Sequence, residues 1–161
     1  MKRLNDVLNH ACGGVACGVR PRRSAARLLP HRALALLAAS IATLASTNAL
    51  RGDTAVACWG NNAQGQCNVP AGLAPITAVA AGFYHTVALK GDATVACWGG
   101  NGFGQCNVPA GLAPVIAVAA GGLHTVALKG DATVACWGYN DNGQCNVPAG
   151  LANVTAVAAG Y

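Results

Sequence analysis

The sequence predicts an all-β fold built from a tandem repeat, and three observations support that prediction. Residues 52–161 repeat with a period of 39 residues, and the copies 52–90 and 91–129 agree at 30 of 39 positions. Each copy contains three short runs of residues that favour β-strands. Clusters of Gly, Asn and Pro separate these runs and mark turns. A period of this length is typical of propellers and other repeat architectures.

The three runs of the middle copy lie at residues 94–98, 115–120 and 125–128. They are too short for ordinary helices, and they are apolar on both alternating faces, as expected of strands covered on both sides by neighbouring sheets. The Lys-Gly-Asp sequence at 90–92 contains residues that tolerate a positive φ, so we expect a tight turn and a hairpin there. The sequence therefore predicts a β-propeller of short three-stranded blades.

The repeats amount to about three blades' worth of strands. Two whole blades are expected at about 76–98 and 115–137, with one outer strand before them and one inner strand after them; the third copy, 130–161, is incomplete. Closed propellers usually have at least four blades, so we expect an incomplete or open propeller. An open arc leaves edge strands that can pair with other chains, which makes self-association through open edges an alternative role.

Residues 1–51 form a basic segment followed by an apolar run. Eight of the ten Lys and Arg residues lie here, against a single acid, Asp6. The apolar part at 33–45 is 13 residues long, short of the ~20 that span a bilayer as a helix, so no stable membrane span is expected. The order of the two parts is that of a signal peptide and predicts a secreted or periplasmic protein. The alternatives are a transit peptide and a basic tail that binds either nucleic acid or nothing.

The repeat region itself is mildly acidic. Residues 52–161 contain Lys90 and Lys129 against four Asp residues, a net charge of −2. Because nucleic-acid binding domains carry a basic patch, we expect no nucleic-acid binding through the repeats.

Two motifs recur through residues 52–161: CWGxNxxGQCNVPAGL and AVAAGxxHTVALK. They resemble the regulator of chromosome condensation repeat in its compact bacterial form. The resemblance implies a propeller used mainly as a protein-binding surface. Its superfamily also includes a secreted bacterial β-lactamase inhibitory propeller, so inhibition of a secreted hydrolase and nucleotide exchange on a small GTPase are two activities that it suggests. Neither activity carries over to individual residues of this chain.

Five of the nine positions that differ between the first two copies fall in two loops of each blade. Strands of an antiparallel blade send their loops alternately to opposite faces, and this places both variable loops on one face. Every Phe and Tyr of the chain lies there, and exposed aromatic residues on a rigid scaffold are common anchors of interfaces. The alternative is that these side chains fold back over the blade tops. The predicted partner-binding residues are Asn61, Gln64, Phe83, Tyr84, Phe103, Leu123, Tyr139, Asp141, Asn142 and Tyr161.

The large residues that do not vary are interpreted as structural. They are Trp59, Trp98, Trp137, His85 and His124. The Trp rings are suited to packing between adjacent blades, and each His has only a Thr beside it where catalysis would need a nucleophile and an orienting acid. We therefore predict a protein that is not an enzyme and that uses no cofactor, with a protein or other ligand as its partner.

Six cysteines repeat in pairs nine residues apart. The candidate disulfides are Cys58–Cys67, Cys97–Cys106 and Cys136–Cys145. One disulfide per repeat suits an exported protein. Free thiols packed as small apolar residues are the main alternative, and metal binding is a third, although neither a CxxC spacing nor a His cluster supports it.

Overall fold

The computed structural model describes residues 15–21, 54–73 and 75–161. The predictions made for the apolar run 33–45 lie outside the described residues. The described strands form three antiparallel sheets, and no helix long and apolar enough to cross a membrane occurs in these ranges. The strands are β1 (Val15–Pro21), β2 (Thr54–Gly60), β3 (Ile76–Ala81), β4 (His85–Lys90), β5 (Val95–Gly99), β6 (Val115–Ala120), β7 (His124–Lys129) and β8 (Val134–Gly138).

Two complete blades confirm the predicted architecture. One consists of β3, β4 and β5 and the other of β6, β7 and β8, in that spatial order. The two blades have the same register, since Val87 pairs with Cys97 in the first and Val126 pairs with Cys136 in the second. The middle strand of each blade is buried along five of its six residues, because neighbouring blades cover both of its faces.

The hairpin turn between β4 and β5 is held by an aspartate. Asp92 Oδ1 accepts hydrogen bonds from the backbone N–H of Thr94 at 3.0 Å and from its hydroxyl at 2.6 Å. The prediction of a tight turn is correct, and the positive φ of 63° falls on Ala93. Asn and Gly would adopt this conformation at lower cost than alanine does.

The core lies between the blades, and buried tryptophans connect each blade to the one before it. Trp98 and Trp137 are buried, and their indole Nε1 atoms donate hydrogen bonds to the carbonyl oxygens of Gln66 at 2.9 Å and Gln105 at 3.0 Å. Each acceptor belongs to the preceding repeat, so each Trp links two blades. Trp59 departs from the expected packing because 52% of its surface is exposed. Among the described residues, no blade precedes the one that carries it.

Strand β1 lies inside segment 1–51, which the sequence predicts to be signal-peptide-like. It pairs with β2 so that Val15 faces Gly60 and Val19 faces Val56. The middle strand of a complete blade pairs with its outer strand in the same way, His85 with Gly99 and Leu89 with Val95. Strand β1 also lies against β3, as β4 lies against β6. Residues 15–21 therefore occupy the place of a middle strand in the first blade.

Residues 154–160 correspond to the inner strand of a further blade. The backbone N–H of Val154 donates to the carbonyl of Ala132 at 3.0 Å, just as Val115 donates to Ala93 at 2.9 Å. The segment has no strand partner within the described part of the chain.

Candidate binding site on the loop face

Backbone hydrogen bonds join the two variable loops of each blade. Gly100 N–H donates to the carbonyl of Tyr84 at 2.7 Å, and Tyr139 N–H donates to the carbonyl of Leu123 at 3.0 Å. These bonds connect the loop after an inner strand to the loop after the outer strand of the same blade. The two variable loops therefore lie side by side on one face, as the alternation of strand direction predicts.

Side-chain hydrogen bonds hold the loop after each outer strand. In the middle copy, Asn101 Oδ1 accepts from Cys106 N–H at 2.8 Å, and its amide nitrogen donates to Asn107 Oδ1 at 2.8 Å. Gln105 Oε1 accepts from the backbone N–H of Phe103 at 2.9 Å. The other two copies contain the same Asn and Gln contacts. Because these recurring side chains satisfy the loop backbone, the variable side chains remain available for contacts outside the loop.

The loops of neighbouring blades border an open cavity of about 370 Å³. Phe83 lies edge-on to Tyr84 with ring centroids 4.5 Å apart, and Tyr161 lies 5.8 Å from Phe83. Such T-shaped aromatic contacts fix ring positions. The lining residues are Phe83, Tyr84, Gly122, Leu123, His124, Tyr139, Asn142, Gln144 and Tyr161.

The cavity gathers many of the residues predicted from the sequence. Those that line it are Phe83, Tyr84, Leu123, Tyr139, Asn142 and Tyr161. Phe103 lies at its rim, since its ring is 5.1 Å from that of Tyr139.

The other three predicted residues, Asn61, Gln64 and Asp141, are exposed on neighbouring loops and do not line the cavity. Asn61 instead accepts a hydrogen bond from the backbone N–H of Ala63 at 2.8 Å, within its own loop.

Three lining residues are not among the predicted partner-binding residues: Gly122, His124 and Gln144. Gly122 is one of the variable positions of the loop face, but it has no side chain and was therefore not predicted to contact a partner. His124 and Gln144 stand at positions that recur in every copy where the chain contains them, so the repeat pattern places them in the framework. Their position beside the variable loops could be found only from the assembled blades.

Two buried histidines lie beneath the loop face. His85 Nε2 is 3.0 Å from the hydroxyl of Thr125, and that hydroxyl donates to the carbonyl of Gln105 at 2.9 Å. Because the hydroxyl donates its proton to Gln105, His85 must donate from Nε2, which leaves Nδ1 unprotonated and without a hydrogen-bond partner among the described residues. Burial, followed by the nearby His124, lowers the pKa of His85 to about 4.

The cavity carries no formal charge at neutral pH. Its lining contains aromatic, apolar and amide side chains together with His124, whose pKa burial lowers from its ordinary value. The lysines at the opposite turns are each paired with an Asp at 3.2 Å. The site is thus suited to an uncharged, largely apolar group with a few hydrogen-bonding atoms.

The cysteine pairs lie where an outer strand meets its variable loop. A disulfide joins Cys97 and Cys106, and the sulfur atoms of Cys58 and Cys67 are 2.7 Å apart. In the third copy, burial, and then the hydrogen bond to Cys145, raise the pKa of Cys136 to about 12. Within the described ranges, these residues do not form a group of three or more potential metal ligands.

Comparison with known proteins agrees with this architecture. Residues 76–105 and 115–144 each match the family model described as the regulator of chromosome condensation (RCC1) repeat. A search of curated protein sequences found no match.

Solved structures that are similar to this chain include two receptor-kinase ectodomains and yeast RCC1. The ectodomain of the receptor kinase CR4 from Physcomitrella patens is 24% identical with a TM-score of 0.59, over 92% of this chain and 34% of that one. The ectodomain of the receptor kinase ACR4 from Arabidopsis thaliana is 27% identical with a TM-score of 0.51, over 65% and 36%. Yeast RCC1 (Prp20) bound to Kap60 is 25% identical with a TM-score of 0.52, over 65% and 36%. The chain thus spans about a third of the length of these structures.

Proposed function

Because this chain carries repeats of the regulator of chromosome condensation family, we propose that it is a non-catalytic propeller protein that binds a protein partner through its loop face. The observation that carries this proposal is the aromatic cavity between neighbouring blades. Residues from three copies of the repeat line this cavity, and four of the lining side chains are aromatic.

Aromatic side chains make this face suitable for protein binding. Tyr84 and Phe103 expose 38% and 51% of their surface, and Tyr161 exposes 85%. Large exposed rings cost solubility unless they serve a contact, and Tyr and Trp are enriched among the residues that dominate binding energy. The hydrogen bonds that hold the loops also reduce the entropy lost on binding.

A related propeller supports the same kind of function. Yeast RCC1 (Prp20) was crystallised with the protein Kap60 bound. The two finer activities suggested by the resemblance, inhibition of a secreted hydrolase and nucleotide exchange on a small GTPase, would each require a protein partner. The described residues favour neither activity over the other, and we therefore propose protein binding alone.

The experiment compares three immobilised forms of the full chain. The test variant combines Tyr84→Ser with Tyr139→Ser, which removes two rings from the cavity without changing the strands. The control is Ile116→Thr, which removes an apolar side chain that is 56% exposed and lies outside the cavity. The other copies carry Thr at the corresponding positions, 77 and 155, so the repeat accommodates it.

Proteins captured from an extract of the source organism are then identified by mass spectrometry. We expect a partner retained by the unmodified chain and by Ile116→Thr, with at least tenfold less bound to the double variant, since one buried aromatic anchor contributes about 2 kcal/mol or more. Equal capture by the double variant, at an unchanged unfolding midpoint, would refute a binding site in the cavity.

A further inference from the structure

We propose that the cysteine pairs beside the variable loops are sites of reversible oxidation, and that closing each disulfide orders the loop between its cysteines and strengthens partner binding. The loops concerned are 98–105, between Cys97 and Cys106, and 137–144, between Cys136 and Cys145. The inference rests on the proposed function only for its last step, the effect on binding.

Each pair joins the end of a variable loop to its own blade. The first cysteine lies in the outer strand, where Cys97 is opposite Val87 and Cys136 is opposite Val126. The second cysteine follows the loop. The Cα atoms of Cys97 and Cys106 are 5.1 Å apart, a separation at which a disulfide forms. Because the outer strand is paired along the blade, a bond to its cysteine attaches the far end of the loop to the sheet.

The loops between the cysteines carry residues of the candidate binding site. Tyr139 and Asn142 line the cavity, and the ring of Phe103 lies 5.1 Å from that of Tyr139 at the rim. A change in how firmly these loops are held therefore acts on the partner contact directly.

The same loop conformation accommodates both oxidation states. In the second copy, which contains the disulfide, Asn101 Oδ1 accepts from Cys106 N–H at 2.8 Å. In the third copy, whose cysteines are thiols, Asn140 Oδ1 accepts from Cys145 N–H at the same distance, 2.8 Å. Oxidation and reduction thus require no rearrangement of the loop, and the covalent closure is what changes.

The thiols hold the loop only through weak contacts. Cys136 Sγ donates to the carbonyl of Gln144 at 3.6 Å, and Cys145 Sγ donates to the carbonyl of Tyr139 at 3.7 Å. An S–H group is a weak donor, whereas a disulfide removes many of the open conformations of the segment that it closes. We therefore expect the reduced loop to open more often than the oxidised loop.

Oxidation of the third pair begins at Cys145. Burial above all keeps Cys136 protonated, with its pKa raised to about 12, and thiolates are the nucleophiles of disulfide exchange. Cys145 Sγ attacks a small-molecule disulfide and releases one thiol; Cys136 Sγ then loses its proton, attacks Cys145 Sγ and releases the second thiol. The protein pair loses two electrons, the small disulfide gains them, and both protons end on the released thiols. A small-molecule dithiol reverses the reaction.

The order of the loops affects binding through entropy. A partner that binds the reduced chain must also immobilise the loops and their side chains, and each immobilised side chain lowers the affinity. Since the oxidised loops are already ordered, we expect the reduced chain to bind its partner about tenfold more weakly.

The first measurement is amide hydrogen exchange of the full chain, oxidised with glutathione disulfide or reduced with dithiothreitol. Thiols counted by mass after alkylation verify each state. The reporters are the N–H groups of Asn142, bonded to Gln144 Oε1 at 3.0 Å, and of Cys145. We expect exchange at least about tenfold slower in the oxidised chain, because exchange requires the loop to open. Equal exchange in the two states would overturn the proposal.

The matched variant combines Cys136→Ser with Cys145→Ser, which keeps a donor at each position and removes the bond. Its loop 137–144 should exchange at one rate under both conditions, while loop 98–105 of the same molecule still slows on oxidation. A response of loop 137–144 in the variant would also overturn the proposal. The two states of the unmodified chain decide the matter even where the variant does not fold.

The second measurement is capture of the partner from the extract by both states of the immobilised chain. We expect about tenfold less on the reduced chain. A variant with Cys97, Cys106, Cys136 and Cys145 all changed to Ser should capture equally under both conditions, which controls for redox changes in the partner. Equal capture by the two states of the unmodified chain would refute the effect on binding and leave the proposed function intact. Capture by neither state would contradict the proposed function, while the exchange rates still decide whether oxidation orders the loops.

Discussion

Acid should destabilise this protein through one buried histidine, His85. Its imidazole is fully buried and donates to Thr125 through Nε2, and within the described part of the chain Nδ1 has no hydrogen-bond partner. A second proton would have to enter at Nδ1 and place a charge in an apolar interior, which explains why the pKa falls from 6.5 to about 4. Between these two values the unfolded chain binds more protons at this residue than the folded chain does, so stability decreases as the pH falls.

The difference between the two pKa values sets the magnitude. It corresponds to a loss of about 3 kcal/mol in the free energy of unfolding between pH 7 and pH 4. Urea unfolding followed by tryptophan fluorescence at several pH values measures this loss. His85→Gln keeps a side-chain amide donor but does not titrate, so the variant should lose about 3 kcal/mol less than the unmodified protein over the same range. His124→Gln is the control and should retain most of the pH dependence. Parallel curves for the unmodified protein and His85→Gln would refute this explanation.

Three further predictions follow from individual contacts. Thr125→Val should destabilise the fold by about 2–3 kcal/mol, because it leaves the buried Nε2–H of His85 without an acceptor; a urea midpoint equal to that of the unmodified protein would contradict the assigned hydrogen bond. Ala93→Gly should stabilise the fold by about 1 kcal/mol by relieving the positive φ, as thermal unfolding would show, and a lower midpoint would count against strain at this turn. Oxidation should join Cys136 and Cys145 as it joins the equivalent pair of the preceding repeat, raising stability by about 2–3 kcal/mol; alkylation of both thiols after oxidation, detected by mass, would disprove the equivalence.

The three strand runs predicted for the middle copy agree with the observed strands to within one residue at each end. The expected run 125–128 extends to His124–Lys129 in the structure, and 94–98 becomes Val95–Gly99. These predictions succeed because short-range signals, the Gly-containing turns and the apolar runs, determine where each strand begins and ends. The positive φ at Ala93 escaped prediction because alanine does not favour it, and the contacts of Asp92 impose it.

The candidate site, too, was predicted in part from the sequence. Variation between the copies identified the aromatic residues of the loop face, because positions that the blade geometry does not fix are free to change. It did not identify His124 or Gln144, whose recurrence assigned them to the framework. Residues of both kinds line one cavity because the loops of one blade lie beside those of the next, a relation between repeats that one repeat does not contain.

By itself the sequence determined the repeat, the strands within it and the loops that face one side, because each depends on interactions within about 39 residues. Only the tertiary structure decided which strand pairs with β2, the outer strand of the first copy. Strand β1 carries no copy of the repeat motif, and its place beside β2 follows from hydrogen bonds between backbones that are distant in sequence. Such pairing depends on the edge that a neighbouring strand offers and only weakly on side-chain identity, so the sequence pattern does not reveal it.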